Sequence, residues 1–249
     1  MKSSSSKYTK EVEDTLNRLP LKKEKATSEK LQNYLGTKLK VYGYDAKTQV
    51  ELCKKGYSFY TDNRENNFIL FNEVYHQSDS HEGKSQAFIY LDKNYKHISP
   101  KLQMDMLPHW VTKVDNWAHS DYLSKFLTRL VDNPTTQKGM LAHIKQWNKS
   151  ANLWERRQSL VALYYYSRTK EQHLPFEYSS RLVLNLIDDE EYYVQKAVGW
   201  TLRESYNVYP KETYQLIDKY IKRIKPAAFT TCLEKMTESQ KLLLKQKRK

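Results

Sequence analysis

The chain has 249 residues, including seven prolines and six glycines, and carries a formal net charge of +13 at pH 7. This length is enough to bury a sizeable core in one large domain or two small ones. The positive charge favours a polyanionic partner such as nucleic acid, and a basic protein without such a partner is the alternative. The two cysteines, Cys53 and Cys232, lie far apart without metal-ligand spacing, so we predict no metal site.

We expect no targeting or membrane segment. Residues 1–7 lack the apolar core of a secretory signal, and no apolar run is long enough to span a membrane. This pattern favours a cytoplasmic protein. The termini, about residues 1–7 and 241–249, are predicted to be flexible tails of a single domain that covers residues 1–249.

Helical periodicity extends along almost the whole chain. Apolar residues recur at three- and four-residue steps, as in the segment 123–130. Four X-Pro pairs are placed where helices would begin or end: Asn133-Pro134, Leu174-Pro175, Tyr209-Pro210 and Lys225-Pro226. No stretch alternates polar and apolar residues beside a glycine hairpin signal. We therefore predict an all-α architecture of about a dozen short helices.

A tryptophan and a carboxylate lie four residues apart in the middle of the chain, at Trp117 and Asp121. Positions i and i+4 share one face of a helix, so the indole and the carboxylate would project together. From spacing alone, Asp121 could also be a solvated carboxylate, and Trp117 could belong to the core. Asp115 competes with Asp121, but we expect it at the helix start, where an acid complements the helix dipole.

The second half of the chain contains a weak internal repeat. Residues 154–163 (WERRQSLVAL) align with residues 193–202 (YVQKAVGWTL) at an offset of 39 residues. This offset is near the period of about 40 residues that is typical of HEAT-type helix pairs. Stacked helix pairs curve, so we predict a HEAT-like helical-repeat solenoid with a concave, basic groove for duplex DNA.

The repeat places Arg157 over Lys196, with Trp200 one turn beyond Lys196. Facing a groove, the two cations would bind phosphates, whereas ordinary surface ion pairs are the alternative. Further candidate contacts to the DNA backbone are Lys113, Lys145, Lys149, Arg203 and Arg156. Arg156 is the weakest of these, because successive helix positions diverge by about 100°. The tryptophans Trp110, Trp147 and Trp154 are assigned to packing between helices.

Four segments, in order, resemble the AlkD family of DNA alkylation repair glycosylases: Tyr34–Tyr44, Trp117–Asp121, Trp154–Arg157, and Lys196–Trp200 with Leu202-Arg-Glu204. The resemblance runs from about Tyr34 to Met236. It implies a monomer of HEAT-like repeats without a cofactor. It also implies excision of cationic N3- and N7-alkylated purines that stay within the duplex. Departures from the family pattern are Asn116, where a second aromatic is common, and Ser120, where valine is common.

The resemblance implies that Asp121 is catalytic and that Trp117 and Trp200 position the nucleotide. An alkylated purine is cationic and leaves readily, so the remaining barrier is positive charge that develops on the deoxyribose. A carboxylate near the anomeric carbon stabilises that charge and can orient the attacking water. Indole faces add cation–π attraction of about 0.5–2 kcal/mol. The alternatives are a non-catalytic protein that binds distorted or branched DNA, and a scaffold that binds an acidic protein.

Overall fold

The computed structural model describes residues 6–20 and 25–249, except 166, 169 and 171, with side chains of 25–27 left aside. The described residues form fourteen α-helices and two short 3-10 turns. No strand occurs among them, although Lys40 and Ser80 form one isolated parallel bridge. The all-α prediction is confirmed. No helix in the described part of the chain is both long and apolar enough to cross a membrane.

Contacts between Cα atoms divide the chain into two compact units, Met1–Leu123 and Ser124–Lys249. The helices that begin in the first unit are α1 (Lys7–Arg18), α2 (Lys25–Leu35), α3 (Ala46–Lys55), α4 (Arg64–Gln77), α5 (His81–Asn94), α6 (Pro100–Trp110) and α7 (Trp117–Asp132). Those of the second unit are α8 (Gln137–Trp147), α9 (Leu153–Tyr164), α10 (Phe176–Asn185), α11 (Tyr192–Val208), α12 (Pro210–Lys219), α13 (Pro226–Cys232) and α14 (Glu238–Arg248). All four proline pairs fall at or beside helix ends, as predicted.

The core of the first unit is strongly aromatic. Tyr75 on α4 stacks on Trp110 at the end of α6, with ring centroids 4.1 Å apart. Phe88 on α5 meets both rings edge-on. All three side chains are fully buried, and the Tyr75 hydroxyl donates to the Trp110 carbonyl. Trp110 therefore packs between helices, as the sequence predicts.

A buried carboxylate fixes the segment that leads from α2 to α3. Glu82, at the start of α5, accepts hydrogen bonds from the backbone N–H groups of Tyr42, Gly43 and Tyr44 at 3.0, 2.7 and 3.3 Å. Gly43 adopts a φ of 82°, which side chains other than glycine rarely tolerate. Burial raises the pKa of Glu82, and the three N–H donors oppose that rise. The Tyr-Gly-Tyr sequence is thus explained by a tight turn around one carboxylate.

The second unit consists of stacked helix pairs. α11 packs between α9 and α13, α8 packs on α9, and both α10 and α12 pack on α11. Many side-chain hydrogen bonds here join residues 33 to 37 positions apart, including Ser124 to Gln158 and Thr128 to the Ala162 carbonyl. Such a constant separation is expected when successive repeats lie side by side. The internal repeat seen in the sequence therefore corresponds to a structural repeat.

The carboxyl terminus departs from the sequence expectation. Residues 241–248, predicted as part of a flexible tail, belong to α14. Thr237 and Gln240 form a capping box at its start, Leu244 is fully buried, and the Arg248 guanidinium lies 4.3 Å from the Phe229 ring centroid. These contacts stabilise the helix despite its basic sequence. At the other end Lys7 begins α1, and residues 1–5 lie outside the described part of the chain.

Candidate nucleic-acid interface

Trp117 is the first residue of α7, and Asp121 lies one turn later on the same helix. Both side chains are half-buried. The Trp117 indole N–H donates to the Tyr34 carbonyl at 3.2 Å, and the Tyr34 ring meets the indole edge-on at 5.4 Å between centroids. Tyr34 is itself 67% exposed. The structure therefore adds an exposed aromatic ring to the Trp117 region, which spacing arguments missed because Tyr34 lies 83 positions earlier in the chain.

Asp115 lies just before α7 and binds the loop that follows α2. One carboxylate oxygen accepts from the Thr37 hydroxyl at 2.6 Å and from the Lys38 backbone N–H at 3.0 Å. The other oxygen accepts from the Asn116 side-chain amide at 2.8 Å. Asn116 in turn caps the helix by accepting from the His119 N–H at 2.9 Å. Asp115 thus binds the loop after α2 to the start of α7, and its acceptor positions are committed to that contact.

A buried basic cluster lies behind the start of α7. The rings of His81 and His119 stack at 4.2 Å, and Lys84 donates to the Tyr75 carbonyl with its ammonium 4.6 Å from that ring. Burial lowers the pKa of His81 to about 4 and lowers that of His119 well below its usual value. Burial also lowers the pKa of Lys84 to about 8, opposed by the charge of Asp115. At neutral pH both imidazoles are therefore uncharged packing groups. Within the described residues, no group of three or more His, Cys, Asp and Glu side chains could hold a metal ion.

In the second unit, Lys196 and Trp200 occupy successive turns of α11, and both side chains are half-buried. The Lys196 ammonium donates to the Thr231 hydroxyl on α13 at 2.9 Å. Between them, Gly199 lets α13 approach closely, because a Cβ there would lie 2.5 Å from the Ala228 carbonyl oxygen. The Lys-Ala-Val-Gly-Trp segment thus combines a close helix contact with two partly exposed polar or aromatic side chains.

Two arginines predicted at the DNA backbone instead join neighbouring repeats. Arg157 is only 6% exposed, and its guanidinium donates to the Tyr193 carbonyl at 2.9 Å. This burial does not fit the phosphate contact predicted for Arg157. Arg156 binds Asp189 at 2.6 Å and also donates to the carbonyls of Ser150 and Ala151. Both guanidinium groups therefore hold the start of α9 to the start of α11 or the loop before it.

The remaining cations differ in exposure. Lys113, in the 3-10 turn before α7, is exposed, as are Lys145 in the last turn of α8 and Lys149, two residues after that helix. Arg203 on α11 is bound by two carboxylates, Glu204 and Glu234. Trp147 and Trp154 are buried between helices, as predicted. A role of the exposed lysines in DNA binding stays a prediction.

Comparison with known proteins identifies the family of this chain. A family model described as "DNA alkylation repair enzyme" matches residues 15–236. The chain belongs to the DNA alkylation repair enzyme family. Membership supports a role in alkylation repair with DNA as the partner. A search of curated proteins gave no significant match.

Solved structures show the same fold for this DNA alkylation repair family member. A predicted DNA alkylation repair enzyme from Enterococcus faecalis is similar, with a TM-score of 0.68 and 19% identity over 88% of this chain and 99% of that one. AlkD2 from Streptococcus mutans has a TM-score of 0.54 and 19% identity over 84% of this chain and 98% of its own. Both likenesses establish the helical-repeat fold, and the sequence-based recognition of AlkD-like proteins is confirmed.

Proposed function

We propose that the protein is a DNA glycosylase that hydrolyses the N-glycosidic bond of cationic N3- and N7-alkylated purines in duplex DNA. The observation that carries the proposal is the pairing of Trp117 and Asp121 on adjacent turns of α7, both partly accessible, in a member of an alkylation repair family.

In this proposal Asp121 is the catalytic carboxylate. As the bond to the departing purine stretches, positive charge develops on the deoxyribose, and a nearby carboxylate stabilises it. Removing one such electrostatic stabiliser typically costs about 3–4 kcal/mol of transition-state energy. Trp117 and Trp200 position the nucleotide through their indole faces, and Tyr34 extends the aromatic surface beside Trp117.

The phosphate contacts are assigned to exposed or partly exposed cations. Lys113 and Lys149 are exposed, and Lys196 is half-buried beside Thr231. Arg156 and Arg157 are given a structural role, because each guanidinium is bound within the stack of helices. We also propose that the protein is a monomer and binds duplex DNA in a concave groove.

The deciding experiment is incubation of the purified protein with duplex DNA that carries a single N7-methylguanine. Free N7-methylguanine, separated by chromatography, is the expected product, and an unmodified duplex is the control. Tight binding of the duplex without release of the base would instead favour the non-catalytic DNA-binding alternative. A protein that binds neither duplex would contradict both.

A further inference from the structure

Glu204 on α11 accepts hydrogen bonds from the side chains of Ser167, Arg203 and Asn207. It follows Trp200 by one turn, and its side chain is 13% exposed. One oxygen accepts from the Ser167 hydroxyl at 2.5 Å and from the Asn207 amide at 3.1 Å. The other oxygen accepts from Nε of Arg203 at 2.9 Å. These bonds commit both oxygens, so Glu204 is poorly suited to be a general base.

Two partners of Glu204, Arg203 and Ser167, connect it to the surroundings of the Trp200 ring. The Arg203 guanidinium lies 5.7 Å from the Trp200 ring centroid, within the range of a cation–π contact. Tyr165, two residues before Ser167 in the segment between α9 and α10, has its ring 6.4 Å from Trp200 at an interplanar angle of 34°. Glu204 therefore binds Arg203, which contacts the indole, and Ser167, which lies two residues after Tyr165.

An arginine side chain has many accessible rotamers, and a charge-assisted bond to a largely buried carboxylate selects one of them. Arg203 also donates to Glu234 at 2.8 Å, but that carboxylate is 46% exposed. Exposed ion pairs contribute little net energy, because solvent screens them. The Glu204 pair is thus the stronger determinant of where the Arg203 guanidinium lies.

We infer that Glu204 is a positioning residue for the repair reaction. By binding Arg203, which lies against Trp200, and Ser167, two residues after Tyr165, it fixes the orientation of the indole that receives the nucleotide. The inference rests on the proposed function, in which Trp200 positions the substrate. It also assigns Arg203 to supporting Trp200 rather than to the phosphate contact that the sequence predicts.

The test uses Glu204→Gln, which keeps the side-chain shape and removes the charge, with Glu234→Gln as the matched control on the same guanidinium. Protein labelled with 5-fluorotryptophan reports ring environment by ¹⁹F NMR, and Trp200→Phe assigns the Trp200 resonance. We expect Glu204→Gln to shift that resonance and to leave the other four tryptophan resonances in place. Glu234→Gln should leave all five unchanged.

Single-turnover kinetics supply the functional readout. Glu204→Gln should lower the rate constant of base release roughly threefold to thirtyfold, the range that loss of one cation–π contact supports. Affinity for unmodified duplex should change less than twofold. In a double-mutant cycle, Glu204→Gln should have little further effect once Arg203→Met is present, because its action passes through Arg203.

Separate results overturn separate conclusions. A Trp200 resonance that is the same in Glu204→Gln and wild-type protein overturns the positioning role. Wild-type protein that releases no base overturns the proposed function, whereas the resonance still reports whether Glu204 orients Trp200. Should Glu204→Gln fail to fold, Ser167→Ala removes one of its donors without changing charge. That variant should shift the Trp200 resonance in the same direction, and an unshifted resonance would count against the inference.

Discussion

At the scale of single residues, two aspartates near the start of α7 have different environments. Asp115 accepts three hydrogen bonds that join the α2 loop to α7, so removing its charge would loosen that junction. Asp121 lies on the helix itself, one turn after a partly exposed tryptophan. The same side chain is thus an anchor at one position and the proposed catalytic group at the other.

We predict that Asp121→Asn lowers the rate of base excision by about 10²–10³-fold, because the amide cannot neutralise charge that develops on the sugar. DNA affinity should be nearly unchanged, since the shape is kept. Single-turnover assays and fluorescence anisotropy measure the two quantities. Asp105→Asn, in an exposed pair with Lys101, is the control and should match wild type. Full activity of Asp121→Asn would remove this residue from the mechanism.

Arg157→Ala should make the folded protein less stable. Loss of a buried charged donor to the Tyr193 carbonyl is expected to reduce the free energy of unfolding by about 1.5–3 kcal/mol. Urea denaturation measures this change. The dependence of DNA affinity on salt should stay as in wild type, because the guanidinium is buried. A decrease of about one in the slope of DNA affinity against salt would instead support the phosphate contact that the sequence predicts for Arg157.

At the scale of helices, the contact between α11 and α13 depends on a residue without a side chain. A Cβ on Gly199 would lie 2.5 Å from the Ala228 carbonyl oxygen and 2.8 Å from its Cα, and both are backbone atoms. Gly199→Ala should therefore force the helices apart and destabilise the protein by about 1–3 kcal/mol. Gly139→Ala, at an exposed position of α8, should stabilise it by up to about 1 kcal/mol. Thermal unfolding of both variants tests the contrast, and equal melting temperatures would contradict it.

The packing of α5 against the start of α7 should make the protein sensitive to acid. Folding lowers the pKa of His81 and His119, so the unfolded chain binds protons first as the pH falls below about 6.5. The contribution of the two imidazoles to stability is fully present above that pH. It is lost as the pH falls towards their lower pKa values in the folded protein. Between pH 6.5 and 5 the loss should be roughly 1.5 kcal/mol for each histidine.

Urea denaturation at the two pH values measures this loss. His81→Gln should reduce it by about half, and His97→Gln, at an exposed position, should not affect it. Equal stability of the wild-type protein at pH 6.5 and pH 5 would show that neither imidazole resists protonation.

At the scale of the whole molecule, positive charge is concentrated in one unit. Residues 124–249 contain 23 Lys and Arg against 13 Asp and Glu, whereas residues 1–123 contain 19 against 16. We expect the second unit to supply most of the electrostatic attraction to DNA. Replacing Lys145 and Lys149 by Gln should reduce the salt slope of duplex binding by up to about two. The same replacement of Lys54 and Lys55 should leave it unchanged, and equal effects of the two pairs, read by anisotropy, would contradict this assignment.

The sequence by itself was sufficient for the helical class, the family and the repeat. Periodic apolar residues and proline pairs are local signals, and the offset between Arg157 and Lys196 is a property of the chain that stacking preserves. It also paired Trp117 with Asp121, because both lie within one turn of one helix.

Only the tertiary structure decided which of these side chains are accessible. Arg157 and Arg156 are bound by groups 36 and 33 positions away, and Tyr34 meets Trp117 across 83 positions. The stability of α14 likewise depends on the burial of its Leu244 and on the contact of its Arg248 with Phe229, which lies outside this helix. Such partners are set by packing between distant segments, whereas propensity and spacing report only on residues within one element.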